Sequence, residues 1–215
     1  MGATTASRMP RLSSADVKAA LNKFKTPQGR AWGFDVFHCP IDLFEYIADI
    51  TMLYKLQCRS ETRRPDVLEK ALLLGHCVKT WNFADPTSGP RFHMVEAWRS
   101  GILLYLDRLF QLPKDVFDAP SLVSGILDHA KAVPSRTSWS YSMLWPLFQA
   151  GLSLRHDECE RKEWLRSELN TMFQALGCYH PHHAIEALEQ VWQKDDDHNY
   201  NSITLGIQHR RLMLA

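Results

Sequence analysis

The sequence predicts an all-α protein, a single-domain layered array of about eight or nine helices. Apolar residues recur at three- and four-residue steps along most of the chain, which is the spacing of one helix face. No stretch alternates between apolar and polar residues for long enough to form a strand. Proline and glycine fall mainly between the periodic stretches, where they end one helix and open the next.

The first part of the chain contains five periodic stretches, each bounded by residues that start or stop helices. Pro40 and Pro65 suit first turns, whereas Thr26-Pro27 and the loop at 85–90 end the stretches before them. The stretch that begins at Arg91 is the longest. We expect helices from Ser13 to about residue 25, from Pro40 to about Cys58, from about Pro65 to Trp81, from Arg91 to about Leu109, and from about Ser121 to Ala132.

The second part predicts three more amphipathic helices, in a region that holds four of the seven tryptophans. The first of them lies within residues 139–151 and contains Pro146, which either kinks the helix or sits in its opening turn. Gly177 suits a left-handed cap at the end of the second. We expect the second helix from about Cys159 to Leu176 and the third from His182 to Trp192.

Composition and charge fit a globular protein of the size of one domain. Hydrophobic residues make up 45% and charged residues 23% of the 215, and the formal net charge is +1. We expect residues 1–12 to form a flexible arm and residues 13–215 one helical domain, with a closing helix or a docking tail at 198–215. Such a mixed surface lacks the basic patch of a nucleic-acid binder. We therefore expect no direct nucleic acid contact from this chain.

Five cysteines are spread along the chain, and none forms a Cys-x2-Cys pair. An odd, dispersed set indicates a reducing compartment rather than a disulfide framework. A binuclear zinc cluster needs six closely spaced thiolates, so this sequence contains none. No apolar run has the length of a membrane span, and the first ten residues lack the apolar core of a secretion signal. We expect a soluble intracellular protein that is not secreted and makes no membrane contact.

Three apolar patterns follow one another along the chain. The first runs from Cys39 to Ile50, and the second from Glu96 to Tyr105-Leu106-Asp107-Arg108 at the end of the longest helix. The third has three parts: Leu144-Trp145-Pro146-Leu147-Phe148-x-Ala150-Gly151, then Leu169-x3-Phe173-x2-Leu176-Gly177, then Ala187-Leu188-x2-Val191-Trp192. Together, over roughly residues 33–193, they resemble the regulatory domain of fungal-specific transcription factors. Proteins of that family usually carry an N-terminal binuclear zinc cluster.

The resemblance implies a domain for regulation, protein contact or effector sensing rather than DNA reading. We expect a protein partner or a small-molecule effector that shifts the population between helix arrangements, in the nucleus. The sequence leaves open whether the chain forms a homodimer. The alternative is a stand-alone enzyme of fungal secondary metabolism in the cytoplasm, a cyclase or isomerase that needs no cofactor. Such an enzyme would need an aromatic-lined cavity and an acid–base group.

His76, His93 and Glu96 are the candidates for that acid–base group. His93 and Glu96 lie three residues apart, and Arg99 follows Glu96 at the same interval, so these three are predicted on one helix face. In a cavity they would provide a general acid or base with an orienting partner. The alternative is a structural, salt-linked helix pair.

A second set of candidates consists of aromatic side chains and one arginine. Aromatic faces suit an apolar or cationic small molecule, although in most proteins such residues form core. The candidate ligand-binding residues are Trp81, Arg99, Trp139, Tyr141 and Trp145.

His182 and Glu186 lie one helical turn apart and could share a metal ion. His180 and His183 lie beside this pair in the sequence and could add further imidazoles. The alternative is that these residues are solvated in a helix-entry loop and its first turn, and because a metal site also needs distant ligands that a sequence does not reveal, we expect no metal and no other cofactor. A nucleophile elbow, a phosphate-binding glycine loop and a dinucleotide fingerprint are also absent from the sequence. The sequence therefore does not indicate any of the common enzyme classes.

Overall fold

The computed structural model describes residues 14–26, 40–58, 65–82, 89–134 and 138–193. Within these ranges the chain forms nine α-helices and one 3-10 helix and contains no strand, which confirms the all-α prediction. No helix in these ranges combines the length and the apolar character needed to cross a membrane. The expected arm at 1–12 and the closing helix or tail at 198–215 lie outside the described residues.

The helices follow the periodic stretches of the sequence. In chain order they are α1 Ser14–Asn22, which continues into the 3-10 helix Lys23–Lys25, then α2 Ile41–Gln57, α3 Pro65–Thr80, α4 Pro90–Phe110, α5 Ala119–Ala132, α6 Ser138–Ser142, α7 Leu144–Gly151, α8 Cys159–Leu176 and α9 His180–Gln193.

Local chemistry sets several helix ends. Pro90 opens α4, where its missing N–H costs nothing. The Asp118 side chain caps α5 by accepting a hydrogen bond from the Ser121 N–H. Gly177 ends α8 at φ 66°, and its N–H donates to Phe173 O at 2.8 Å. The predicted left-handed cap is therefore confirmed.

Where one helix was predicted over residues 139–151, the chain forms two. α6 ends at Ser142, Met143 forms the junction, and Pro146 lies in the opening turn of α7. A proline has no N–H to donate to the carbonyl four residues earlier, which here belongs to Ser142. The helical ladder is interrupted at that carbonyl, so the chain starts a new helix instead of bending one.

Two helices organise the core. α4 packs against α2, α3, α5, α6 and α7, and its residues from Gly101 to Leu106 are all buried. α7 packs against α4, α5, α6, α8 and α9, and all eight of its residues are buried. Apart from Gln149 its side chains are apolar, and a helix that is apolar nearly all round belongs in the interior of a fold. The contact between α4 and α7 therefore joins the N-terminal helices to the C-terminal ones.

Candidate functional site

An aromatic cluster lies at the contact between α4 and α7. Trp98 and Trp145 stack with ring centroids 4.9 Å apart and planes 8° from parallel, and Tyr105 meets Trp145 edge-on at 5.9 Å. All three side chains are buried. A Cβ atom added at Gly101 would lie 3.1 Å from the Trp145 ring and 3.3 Å from Pro146 Cα, so the helices are in close contact there. Trp145, a candidate ligand-binding residue, is placed in the packed core.

The Trp98 side chain also completes the hydrogen bonding at the junction of α6 and α7. Its Nε1 donates to Ser142 O at 2.9 Å, the carbonyl that Pro146 leaves without a helical donor. The contact is partly buried, and since a carbonyl withdrawn from water without a partner costs roughly 1–3 kcal/mol, the indole N–H stabilises the junction. A residue of α4 thus fixes the junction that precedes α7.

A second tryptophan fixes the other end of α7. Trp192 Nε1 on α9 donates to Gly151 O at 2.9 Å, one of the carbonyls that a helix C-terminus leaves open. Lys162 Nζ and Arg166 Cζ on α8 lie 5.4 Å and 5.2 Å from the Trp192 ring. These cation–π contacts hold the indole in place. The buried helix is therefore tied to α4 at its start and to α9 at its end.

Further polar contacts cross the core between helices. The Tyr105 hydroxyl lies 3.0 Å from Thr51 Oγ1, and Thr51 also donates to Ile47 O at 2.7 Å. Burial raises the pKa of Tyr105, against the opposing effects of the Thr51 hydrogen bond and the nearby Arg108 charge. Arg108 Nη2 donates to Gln149 Oε1 on α7. Because hydrogen bonds are directional, these contacts favour one arrangement of the helices over its neighbours.

Trp81, Glu96 and Arg99 form a half-buried group at the surface of α4. Arg99 Nη2 lies 3.0 Å from Glu96 Oε1, and the guanidinium lies 5.6 Å from the centre of the Trp81 ring. The ion pair on one helix face is the one that the three-residue spacing predicts. Both charged groups are therefore engaged with partners on or beside their own helix.

The two histidine candidates lie in different surroundings. His93 Nδ1 is 2.9 Å from His129 Nδ1 on α5, and Phe92 lies edge-on to both imidazoles. Burial lowers the pKa of His129, as does the neighbouring His93, while Asp128 opposes the change. His76 is exposed on α3. Of the three acid–base candidates, His93 contacts a histidine and Glu96 pairs with an arginine, so these two have different partners.

Two aromatic candidates remain, Tyr141 and Trp139, and only the first has a described side chain. Tyr141 is exposed, and its hydroxyl lies 3.0 Å from His180 Nδ1. The side chain of Trp139 lies outside the described residues. His182 Nε2 and Glu186 Oε1 are 3.4 Å apart on the surface of α9. In the part of the chain that the structure describes, no three His, Cys, Asp or Glu side chains are grouped to hold a metal ion.

A groove of about 330 Å³ lies between α5 and α8. Its walls carry an aromatic ring, two cations and two carboxylates, and none of these residues was a candidate in the sequence. The lining residues are Ser124, Leu127, Asp128, Lys131, Glu160, Arg161 and Trp164. Helical spacing places Trp164 on the same face as the core residues of α8, but it does not reveal that this face opens towards α5.

The family model described as "Fungal specific transcription factor domain" matches residues 1–210 of the chain. Comparison with curated proteins and with solved structures found no match to the chain. The match agrees with the resemblance carried by the three apolar patterns, and it extends over more of the chain than they do.

Proposed function

The chain belongs to the fungal-specific transcription factor domain family, and we propose that its helices form an effector-sensing module of a transcriptional regulator. The observation that carries this proposal is the buried helix α7, which Trp98 ties to α4 and Trp192 ties to α9. A shift of either outer helix must move α7 or break a directional hydrogen bond. A core of this kind favours two discrete arrangements of the helices over a continuous range of helix positions.

The free energies of these two hydrogen bonds are similar to the coupling free energies found between regulatory sites. One hydrogen bond of this kind contributes roughly 0.5–1.5 kcal/mol, so the two tryptophan ties together contribute about 1–3 kcal/mol. Coupling free energies between regulatory sites are typically also about 1–3 kcal/mol. A protein partner or small molecule that prefers one arrangement could therefore shift the population without unfolding the core.

The packing of the aromatic cluster favours this function over a cyclase or isomerase. Such an enzyme would use the aromatic rings as cavity walls, whereas Trp98, Tyr105 and Trp145 contact one another and fill the space between α4 and α7. Glu96 pairs with Arg99, and His93 with His129. We propose that the module acts in the nucleus and that DNA is read by another module, since its own charge is nearly balanced.

A tethering experiment tests the proposal. Residues 1–215 are fused to a heterologous DNA-binding domain in yeast, and transcription of a reporter is compared with that of the DNA-binding domain alone. We expect the fused chain to change transcription and the change to be altered by Trp192→Phe, which removes the N–H and keeps an aromatic ring. Tyr179→Phe is the matched control, because Tyr179 is 64% exposed.

Circular dichroism on the purified variants shows whether each one is folded. If the fusion has no effect on the reporter under varied growth conditions, the regulatory function is wrong. If Trp192→Phe is folded and regulates as the parent does, the sensing role of α7 is wrong, even though a regulatory role remains.

A further inference from the structure

The groove between α5 and α8 brings one aromatic ring together with charged side chains of both signs. Its volume of about 330 Å³ is at the lower end of the range for ligand pockets, roughly 300–1,000 Å³. The two helices meet there through side chains. Arg161 Nη2 donates to Ser124 Oγ at 3.1 Å, and Lys131 Nζ lies 5.5 Å from the centre of the Trp164 ring. The floor includes the buried side chain of Leu127.

The charges around the groove are of both signs. Lys131 pairs with Asp128 at 3.5 Å on α5, and Arg161 pairs at 2.8 Å with Glu158, which precedes α8. Glu160 adds a second lining carboxylate. The Lys131–Asp128 pair is exposed, whereas the Arg161–Glu158 pair is partly buried. Exposed pairs contribute only about 0–1 kcal/mol, so Lys131 can exchange partners with a charged ligand at little cost.

We propose that this groove binds a small zwitterion with a flat apolar ring, the chemical class of an aromatic amino acid. The ring packs against Trp164, the half-buried aromatic residue of the lining. The carboxylate of the ligand pairs with Lys131 and Arg161, and its ammonium group pairs with the acidic residues of the lining. A ligand with one charge would leave one set of groove charges without a new partner.

The inference rests on the proposed function, because it identifies the site through which the module would sense its effector. A ligand in the groove bridges α5 to α8. α5 packs on α4, and α8 packs on α9, so through α5 and α8 the ligand is linked indirectly to the two helices that contact the ends of α7. It would therefore favour whichever arrangement brings α5 and α8 to the distance that the ligand spans.

Calorimetric titration of the full chain with three indoles tests the chemical class. Tryptophan is a zwitterion, indole-3-acetate an anion and tryptamine a cation, and all three carry the same ring. We expect tryptophan to bind about tenfold more tightly than either of the others, because only it engages both sets of charges. Similar or tighter binding of a singly charged indole would overturn the assignment.

Substitutions locate the binding. We expect Arg161→Gln to weaken tryptophan binding about tenfold, the effect of one lost charge-assisted contact, and Trp164→Leu to weaken it at least as much. Arg155→Gln is the control, because Arg155 is an exposed arginine that pairs with Asp157 in the loop before α8. Circular dichroism checks the fold of each variant. If Arg161→Gln and Trp164→Leu bind as the parent does, the groove is not the site.

The binding titration and the tethering experiment can fail independently, so their outcomes distinguish the ligand site from the regulatory function. If no indole binds at millimolar concentration while the fused chain still changes reporter transcription, the groove assignment is wrong and the regulatory function stands. If tryptophan binds in the groove while the fused chain leaves the reporter unchanged, the ligand site stands and the regulatory function is wrong.

Discussion

Trp98 lies flat on Trp145, with ring centroids 4.9 Å apart, while its indole N–H donates to Ser142 O at 2.9 Å. One side chain thus provides both an apolar contact and the donor that Pro146 lacks. The stacked rings set the distance between α4 and α7, and the hydrogen bond fixes how the two helices are positioned along each other. This contact connects the N-terminal helices to the C-terminal ones.

Trp145→Ala should destabilise the chain by about 3–5 kcal/mol, because it removes a buried indole and leaves a cavity between Trp98 and Tyr105. Urea denaturation measures the free energy of unfolding. Leu73→Ala is the control. Leu73 is a helical residue that is 61% exposed, and its change should stay within about 0.5 kcal/mol. A loss below about 1 kcal/mol for Trp145→Ala would contradict the packed core.

Trp98→Phe and Pro146→Ala should be energetically coupled. In the parent chain, Trp98→Phe leaves Ser142 O without its donor and should cost roughly 1–3 kcal/mol. In the Pro146→Ala background, the new N–H at residue 146 can donate to that carbonyl, so the same change should cost less. We expect a coupling energy of at least about 0.5 kcal/mol in a double-mutant cycle of unfolding free energies.

Trp164→Phe provides the matched control for that cycle, since it makes the same substitution away from the α6–α7 junction. Its cost should be equal in both backgrounds, because distant sites are additive. If the costs of Trp98→Phe and Pro146→Ala simply add, Ser142 O does not depend on Trp98 as its donor.

The fold could be predicted from the sequence where the determinants are local. The start of α2 after Pro40 and the end of α8 at Gly177 follow from the properties of single residues, and each helix face follows from spacing. Pro146 left two outcomes open. The opening turn formed because an indole from α4 replaces the missing N–H, and that indole belongs to a residue 44 positions away.

Contacts between distant helices were beyond sequence reasoning for the same reason. The Glu96–Arg99 ion pair lies on one helix face and follows from its spacing. The partner of His93 is His129, 36 positions along the chain, and no local pattern indicates it. The groove depends on which faces of α5 and α8 turn towards each other, and one sequence alone does not contain that information.

Gly151→Ala and Gly125→Ala should have opposite effects on stability. A Cβ atom at Gly151 would lie 2.8 Å from the side chains of Leu165 and Leu188, both fully buried, so overpacking should cost about 1–3 kcal/mol. At Gly125 the nearest atom, Ser100 Oγ, would be 4.0 Å away. There the better helix propensity of alanine should add about 0.5–1 kcal/mol.

Thermal unfolding of both glycine variants measures the two effects on one scale. Because each variant adds the same methyl group within a helix, the difference between them reports the space around α7. Equal shifts of the melting temperature in the same direction would show that α7 can move away from α8 and α9 to admit the methyl group.

The His93–His129 contact should make stability depend on pH below neutrality. Burial and the nearby His93 lower the pKa of His129 from its ordinary value of about 6.5, so the folded state favours the neutral imidazole. The unfolded chain then binds the proton more readily. The contribution of His129 to stability is present in full above about pH 6.5 and is lost as the pH falls from there through the lower folded-state pKa.

His129→Gln should remove part of this pH dependence. We expect the free energy of unfolding of the parent chain to fall more steeply than that of the variant between about pH 7 and pH 5 in urea titrations. Asp128 reduces the size of the effect because its carboxylate favours the charged imidazole. Leu73→Ala, at an exposed position on α3, changes no titratable group and should keep the slope of the parent. Parallel curves for the parent and His129→Gln would mean that His129 is as easily protonated in the folded chain as in water.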